Sequence, residues 1–321
     1  MARTTSGQFL LASSPACTPL EPMNAQRGPK LKPELTSSTD ALLPQEMAEK
    51  AEHIGVEKTR LDTMSLLALG VLAGAFLAFG SMFSVVVSAG AEGVLPYGVT
   101  RLLAGLVFSL GLILVIVGGA ELFTGNNLMV MACASGKVHV GEVLRAWGVV
   151  YVGNFLGGVG IAVLVYLSAG YAHGGGAVGL AALASADSKT SLSALQALIH
   201  GILANVLVCL AVWLCFSART TTDRILAIVP PVAAFSAAGF EHSIANMYLL
   251  SFALLTKFGA PAVFWETIGR TPSAFPHLGM LASLTSLSWV TVGNMIGGMV
   301  VGITYWFIYL RKARTNPSKP Q

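Results

Sequence analysis

From Leu102 to Ala120 the chain carries no charged side chain, and the residues that follow, Glu121-Leu-Phe-Thr-Gly-Asn-Asn, set an acid, a hydroxyl and two amides directly before another apolar run, Leu128 to Gly136. Crossing roughly 30 Å of hydrocarbon takes a helix of about 20 apolar residues. Polar, helix-breaking backbone at that depth is tolerated only where it is buried in protein or lines a water-filled cavity, because each unpaired N–H or C=O costs several kcal/mol. The stretch therefore demands a membrane protein with an internally protected break. Composition agrees: 54% of the 321 residues are hydrophobic and 11% charged, with a mean hydropathy of +0.71, which excludes an ordinary water-soluble domain.

Uncharged stretches predict six spans, at about 66–90, 101–134, 143–169, 192–216, 225–256 and 286–310. The second and fifth are longer than one crossing, and each contains a polar break. Before them, residues 1–38 are rich in Ser, Thr and Pro and are expected to be a disordered cytoplasmic tail. Residues 39–60 are expected to form a short amphipathic helix on the membrane surface, capped by Asp40, with Met47, Ala51 and Ile54 on one face and Gly55 as its stop. The pore domain is expected over 61–312, followed by a cytoplasmic tail at 313–321. Lys137, Arg145, Arg219, Arg224, Arg311, Lys312 and Arg314 gather in the segments after the second, fourth and sixth spans. By the positive-inside rule these face the cytoplasm, as do both termini. Cys17, Cys133, Cys209 and Cys215 have no C-x-x-C spacing and imply neither a disulfide framework nor a metal site.

The break occurs twice. "GGAELFTGNN" at 118–127 aligns with "AGFEHSIANM" at 238–247, putting Glu121 over Glu241 and Asn126 over Asn246, and "GNFLGG" at 153–158 aligns with "GNMIGG" at 293–298. A duplicated three-helix unit is odd in helix number, so the copies are expected in opposite orientations, as in transporters built from inverted repeats. The half-helix after each break is expected to aim its N-terminal N–H groups at a central path and favour an anion there.

His242 is an ionisable side chain inside an otherwise apolar span, a functional candidate at that depth, and its protonation changes near neutral pH. Paired with the Thr124 loop, it is the leading candidate for contact with a permeant. Glu121 and Glu241 read as structural, each carboxylate accepting N–H bonds from its own broken segment. Asn126, Asn246, Asn154 and Asn294 read as bridges for broken backbone, and Asn205 as a bridge that also lies near the path. The glycines of the two G-N-x-x-G-G motifs read as close helix packing. His139, His173, His200 and His277 read as ordinary loop or span-end residues.

"GGAELFTGNN", "GILANVLVCLAVW", "GFEHSIAN" and "TVGNMIGG" together resemble the signatures of the formate/nitrite transporter family, in order and spacing over about residues 40–312. "FSLGLIL", "ADSK" and "LLPQEMAEKAEHIGV" look most like its formate channel branch, although that branch more often has Asp and a second small hydroxyl residue where this chain reads Glu121-Leu-Phe-Thr-Gly-Asn-Asn. The resemblance implies an all-α, aquaporin-like fold of six transmembrane helices as an inverted 3+3 repeat, with the second and fifth broken. It implies a homopentamer in the inner membrane, each protomer with its own pore, passing formate or nitrite without a cofactor. Carried over, His242 is the central pore residue that protonates or holds the anion, and Thr124 hydrogen-bonds the anion or His242. Phe108, Leu112, Phe123, Val208 and Phe235 match the apolar constrictions, and Lys189 with Asn205 the anion-attracting positions. The cytoplasmic N-terminal segment is implied as the element that gates the pore at low pH.

Nitrite, then hydrosulfide or a short monocarboxylate such as lactate or acetate, are the alternative permeants. An intramembrane enzyme using Glu241 and His242 as acid and base is the alternative from another class, but neither H-E-x-x-H nor G-x-S-x-G is present. The paired Asn-Pro-Ala breaks of a water channel are also absent.

Overall fold

The computed structural model describes residues 41–311, and these form helices joined by short turns. The expected tails at 1–38 and 313–321, and the capping role of Asp40, lie outside the described residues. In chain order the helices are α1 (Pro44–Arg60), α2 (Thr63–Ser88), α3 (Tyr97–Gly118), α4 (Phe123–Asn126), α5 (Val130–Ala134), α6 (Val140–Leu167), α7 (Ala177–Thr190), α8 (Ala194–Ser217), α9 (Thr221–Ala237), α10 (Ser243–Gly259), α11 (Ala262–Ile268) and α12 (Met280–Tyr305), the last continued by a wider turn to Leu310. Their starts are written locally. Asp62 caps α2 by accepting from the amides of Met64 and Ser65, both at 3.0 Å, and from the Ser65 hydroxyl at 2.6 Å. The Ser65 hydroxyl, and then the amides, hold its carboxyl below the usual range. Ser193 with Gln196 opens α8, and Thr220 with Asp223 opens α9, each by reciprocal side-chain and backbone bonds.

Five described helices are long and apolar enough to cross a bilayer: α2, α3, α6, α8 and the continuous Met280–Leu310 segment. The predicted second span divides between α3 and the short α4 and α5, and the predicted fifth between α9 and α10. Helices α10 and α11 meet at a bend of 106°. Helix α2 packs on α3 and α6, α8 packs in the same way on α9 and α12, and α10 lies against α6 and α2. Glycines permit the closest of these approaches. A Cβ at Gly153 would stand 2.8 Å from the Leu67 carbonyl and 2.9 Å from Gly70 Cα, and one at Gly201 would stand 2.6 Å from the Val290 carbonyl.

Helix α1 differs from the expectation in two ways. It continues through Gly55 to Arg60, because Gly55 is a contact and not a stop: a Cβ there would meet Ala132 Cβ of α5 at 3.1 Å. Nor does its apolar face lie in lipid, since Met47, Ala48 and Ala51 are buried against Met131, Trp213 and Leu310. Lys50 donates to the Phe216 carbonyl at 2.9 Å, the Ser217 hydroxyl donates to the Leu42 carbonyl at 3.1 Å, and Lys137 pairs with Glu52. Burial first, then the charges of Arg224 and Arg219, lower the pKa of Lys50.

Gly201→Ala is expected to lower stability in detergent by about 1–3 kcal/mol, the usual cost of overpacking. Gly148→Ala, where a Cβ meets nothing within 4 Å, should be neutral or stabilising by up to about 1 kcal/mol. Thermal unfolding of the two variants beside the parent protein checks this, and equal melting would remove the close-packing account.

Candidate functional site

Each break is held open by one buried asparagine. Asn154 accepts from the Phe123 amide at 3.0 Å and donates to the carbonyls of Gly70 at 2.8 Å and Glu121 at 3.0 Å. Asn294 accepts from the Ser243 amide at 2.9 Å and donates to the carbonyls of Gly201 at 2.7 Å and Glu241 at 3.0 Å. The Glu121 amide donates to the Leu69 carbonyl and the Glu241 amide to the His200 carbonyl. The first amide of each half-helix, that of Phe123 or Ser243, is thus committed to an asparagine and is not one of those expected to point at the path.

Each buried carboxylate accepts an N–H bond from its own broken segment, as expected, and is joined by a lysine from outside that segment. Their donors are side chains, not backbone amides. Glu121 accepts from Lys58 at 2.9 Å and from the Asn126 amide at 2.7 Å, and Lys58 also donates to Asn126 Oδ1 at 2.8 Å. Glu241 accepts from Lys189 through both oxygens, at 2.7 and 2.8 Å, and from the Asn246 amide at 2.8 Å. A carboxylate this buried needs a countercharge, which backbone amides do not supply. Asn126 and Asn246 therefore hold the carboxylates, while Asn154 and Asn294 bridge the backbone. Lys58 was not among the residues singled out above, yet it carries a signal: the shift that lays Gly70 over Gly201 also lays Lys58-Thr59 over Lys189-Thr190.

Between the breaks, Thr124 Oγ1 and His242 Nε2 lie 3.0 Å apart, both buried. The imidazole also caps α10, its Nδ1 accepting from the Ala245 amide at 3.2 Å. With Nδ1 an acceptor, the ring proton sits on Nε2 and donates to Thr124 Oγ1, which frees the threonine hydroxyl hydrogen for another acceptor. Asn205 is buried beside this pair, with its amide nitrogen 3.3 Å from the Thr124 carbonyl, 2.9 Å from Asn127 Oδ1 and 2.6 Å from the Asn294 carbonyl.

Two cavities approach the pair. One of about 240 Å³ is lined by α1 residues including Gly55 and Lys58, and by Leu112, Glu121, Gly125 and Asn126. The other, of about 170 Å³, is lined by His242, Phe108, Phe235, Arg101 and Ser81. The rings of Phe108 and Phe235 meet edge to face at 5.6 Å, and Phe235 lies 5.9 Å from the His242 ring. Phe123 packs against Tyr151 at 4.9 Å and Trp147 at 6.3 Å, and with Val208 it belongs to the buried apolar core that also holds Phe108, Leu112 and Phe235. Arg101, also not singled out above, donates to the carbonyls of Ser236 at 2.6 Å and Ala237 at 3.3 Å.

Residues 45–307 match the family model described as formate/nitrite transporter. Formate channel FocA of Escherichia coli (strain K12) is 42% identical over 275 residues, covering 85% of this chain and 96% of that protein. Formate channel FocA of Haemophilus influenzae is 36% identical over 264 residues, 82% of this chain and 93% of that protein. Among solved structures, a pentameric formate channel with formate bound superimposes with a TM-score of 0.74 at 42% identity, covering 78% of this chain and 98% of its own. An ion channel of the same family gives 0.68 at 27% identity, covering 82% and 98%.

Lys58→Met strands Glu121 in a buried place and is expected to cost about 3–5 kcal/mol, whereas pairing it with Glu121→Gln should recover most of that loss. Chemical unfolding of the single and double variants measures the coupling, and additive effects would show that the ion pair does not secure the break.

Proposed function

The chain belongs to the formate/nitrite transporter family, and we propose that it passes a small monovalent weak-acid anion across the inner membrane, formate first and nitrite as the alternative. It is a multi-pass membrane protein, and its named relatives are channels and transporters, which sets aside the intramembrane-enzyme alternative. The observation that carries the reading is the hydrogen bond from His242 to Thr124 across two protected breaks, flanked by two cavities. Formate is favoured over nitrite because the FocA relatives and the formate-bound pentameric structure are similar over most of the chain. The same likeness supports a homopentamer, the two matched breaks support six spans as an inverted 3+3 repeat, and the Lys and Arg residues after the second, fourth and sixth spans support both termini in the cytoplasm.

An anion entering the Phe108–Phe235 passage loses water that apolar rings do not replace. The free hydroxyl hydrogen of Thr124 meets one anion oxygen and orients it. When His242 takes up a proton from solution at Nδ1, releasing the Ala245 amide, the Nε2–H bond breaks and an O–H bond forms on the anion. The ring is left neutral and the permeant crosses as the uncharged acid. It returns the proton to water on the far side. The proton-transfer step then depends on pH through this ring. Helix α1, as a wall of the larger cavity, is the segment proposed to close that mouth at low pH.

Formate flux in proteoliposomes should change its pH dependence in His242→Phe and fall about tenfold or more in Thr124→Val, the loss of one hydrogen bond to a charged group. A His242→Phe profile parallel to that of the parent protein would remove the histidine from the mechanism. Preference for nitrite over formate would keep the site and change the substrate.

A further inference from the structure

The smaller cavity is approached by two cations that differ in what they have left to offer. Lys189 is bound by both oxygens of Glu241, so lysine and carboxylate together present little net charge. Arg101 lines that same cavity and a neighbouring one of about 400 Å³ shared with Lys189, His200 and Glu241. Its bonds go to the Ser236 and Ala237 carbonyls, and among the described residues it forms no ion pair. Those carbonyls are the end of α9, and a helix end carries only about half a negative charge. The guanidinium therefore remains net positive by about half a unit. A second group points the same way: Ser81 lines this cavity, its hydroxyl is buried, and it has no hydrogen-bond partner in the protein. A buried hydroxyl left unpaired is costly, and an anion oxygen is the acceptor it lacks. The cavity has room for an anion of three non-hydrogen atoms with water.

Building on the permeation reading above, we propose that Arg101 and Ser81 form an anion-recruiting position ahead of the Phe108–Phe235 ring pair, with Arg101 supplying the attracting charge that sequence reasoning gave to Lys189. The long-range pull comes from the guanidinium, and the hydroxyl gives the anion a local donor as its water is shed. Such attraction raises the anion's local concentration and fades as salt screens it.

The test is initial formate and nitrite uptake against anion concentration in proteoliposomes, at low and high ionic strength, for the parent protein, Arg101→Gln, Arg101→Lys and Ser81→Ala. At low salt Arg101→Gln should raise the half-saturating concentration by about three- to tenfold, converge on the parent protein at high salt, and be rescued by lysine. Ser81→Ala should raise it by about two- to threefold with unlowered thermal stability, since the lost hydroxyl had no protein partner. Parent-like concentration curves for both variants would overturn the proposal. So would an Arg101→Gln defect that persists at high salt and is not rescued by lysine, which would leave Arg101 as a brace for the α9 end. A parent protein that moves nitrite but not formate defeats the formate reading alone, and the Arg101 comparison is then decided on the nitrite curves.

Discussion

A peptide group without a partner in hydrocarbon costs several kcal/mol, and a helix interrupted at membrane depth exposes several of them. Asn154 and Asn294 remove this cost with one side chain per break, each accepting one amide and donating to two carbonyls, one of them on the neighbouring helix. That bond to Gly70 or Gly201 joins the break to α2 or α8, and it needs the close approach that only glycine allows there. The breaks, the tight helix pairs and the cavities beside them are therefore one construction. Loosening the packing would also unpair the backbone.

The construction is repeated, but the site is not. In the alignment of the two breaks, His242 stands over Leu122 and Thr124 over Ile244, while Glu121, Asn126 and the bridging asparagines keep their identities. The shift that relates Lys58 to Lys189 lays Asn205 over Gly74, so the amide that reaches the Thr124 carbonyl and Asn127 also belongs to one half alone. What holds the breaks open is shared between the copies. What would touch a permeant comes once from each side, which lets one hydroxyl and one imidazole meet.

How much of this was legible in the sequence follows from the range of each signal. Long uncharged stretches and the repeated "G-N-x-x-G-G" motif are local, and they located the long helices and the close packing. The polar breaks declared themselves because glutamate and asparagine are conspicuous in an apolar run. Donor and acceptor assignments were not legible, since they depend on which helix lies alongside. Lys58 sits far from Glu121 in the chain and looks like any lysine at the end of an amphipathic helix. Arg101 looks like a span-end anchor, and only the fold places it against the last carbonyls of α9. Gly55 misled for a related reason: a glycine that ends a helix and one that admits a neighbour are the same letter.

Helix α1 enters this scheme through charge. Lys58 is its last-turn cation, and its partner Glu121 lies in the first break, with side-chain exposures of 26% and 9%. Withdrawing that end of α1 would leave a buried carboxylate uncompensated, at about 3–5 kcal/mol. The rest of the helix is held as well: Met47, Ala48 and Ala51 are buried against Met131, Trp213 and Leu310, and Glu52, its side chain 8% exposed, pairs with Lys137. Helix α1 is thus tied at both ends, by an ion pair to the first break and by an apolar face on Trp213 and Leu310, so that the closure of the larger cavity proposed above would have to give up one of these attachments.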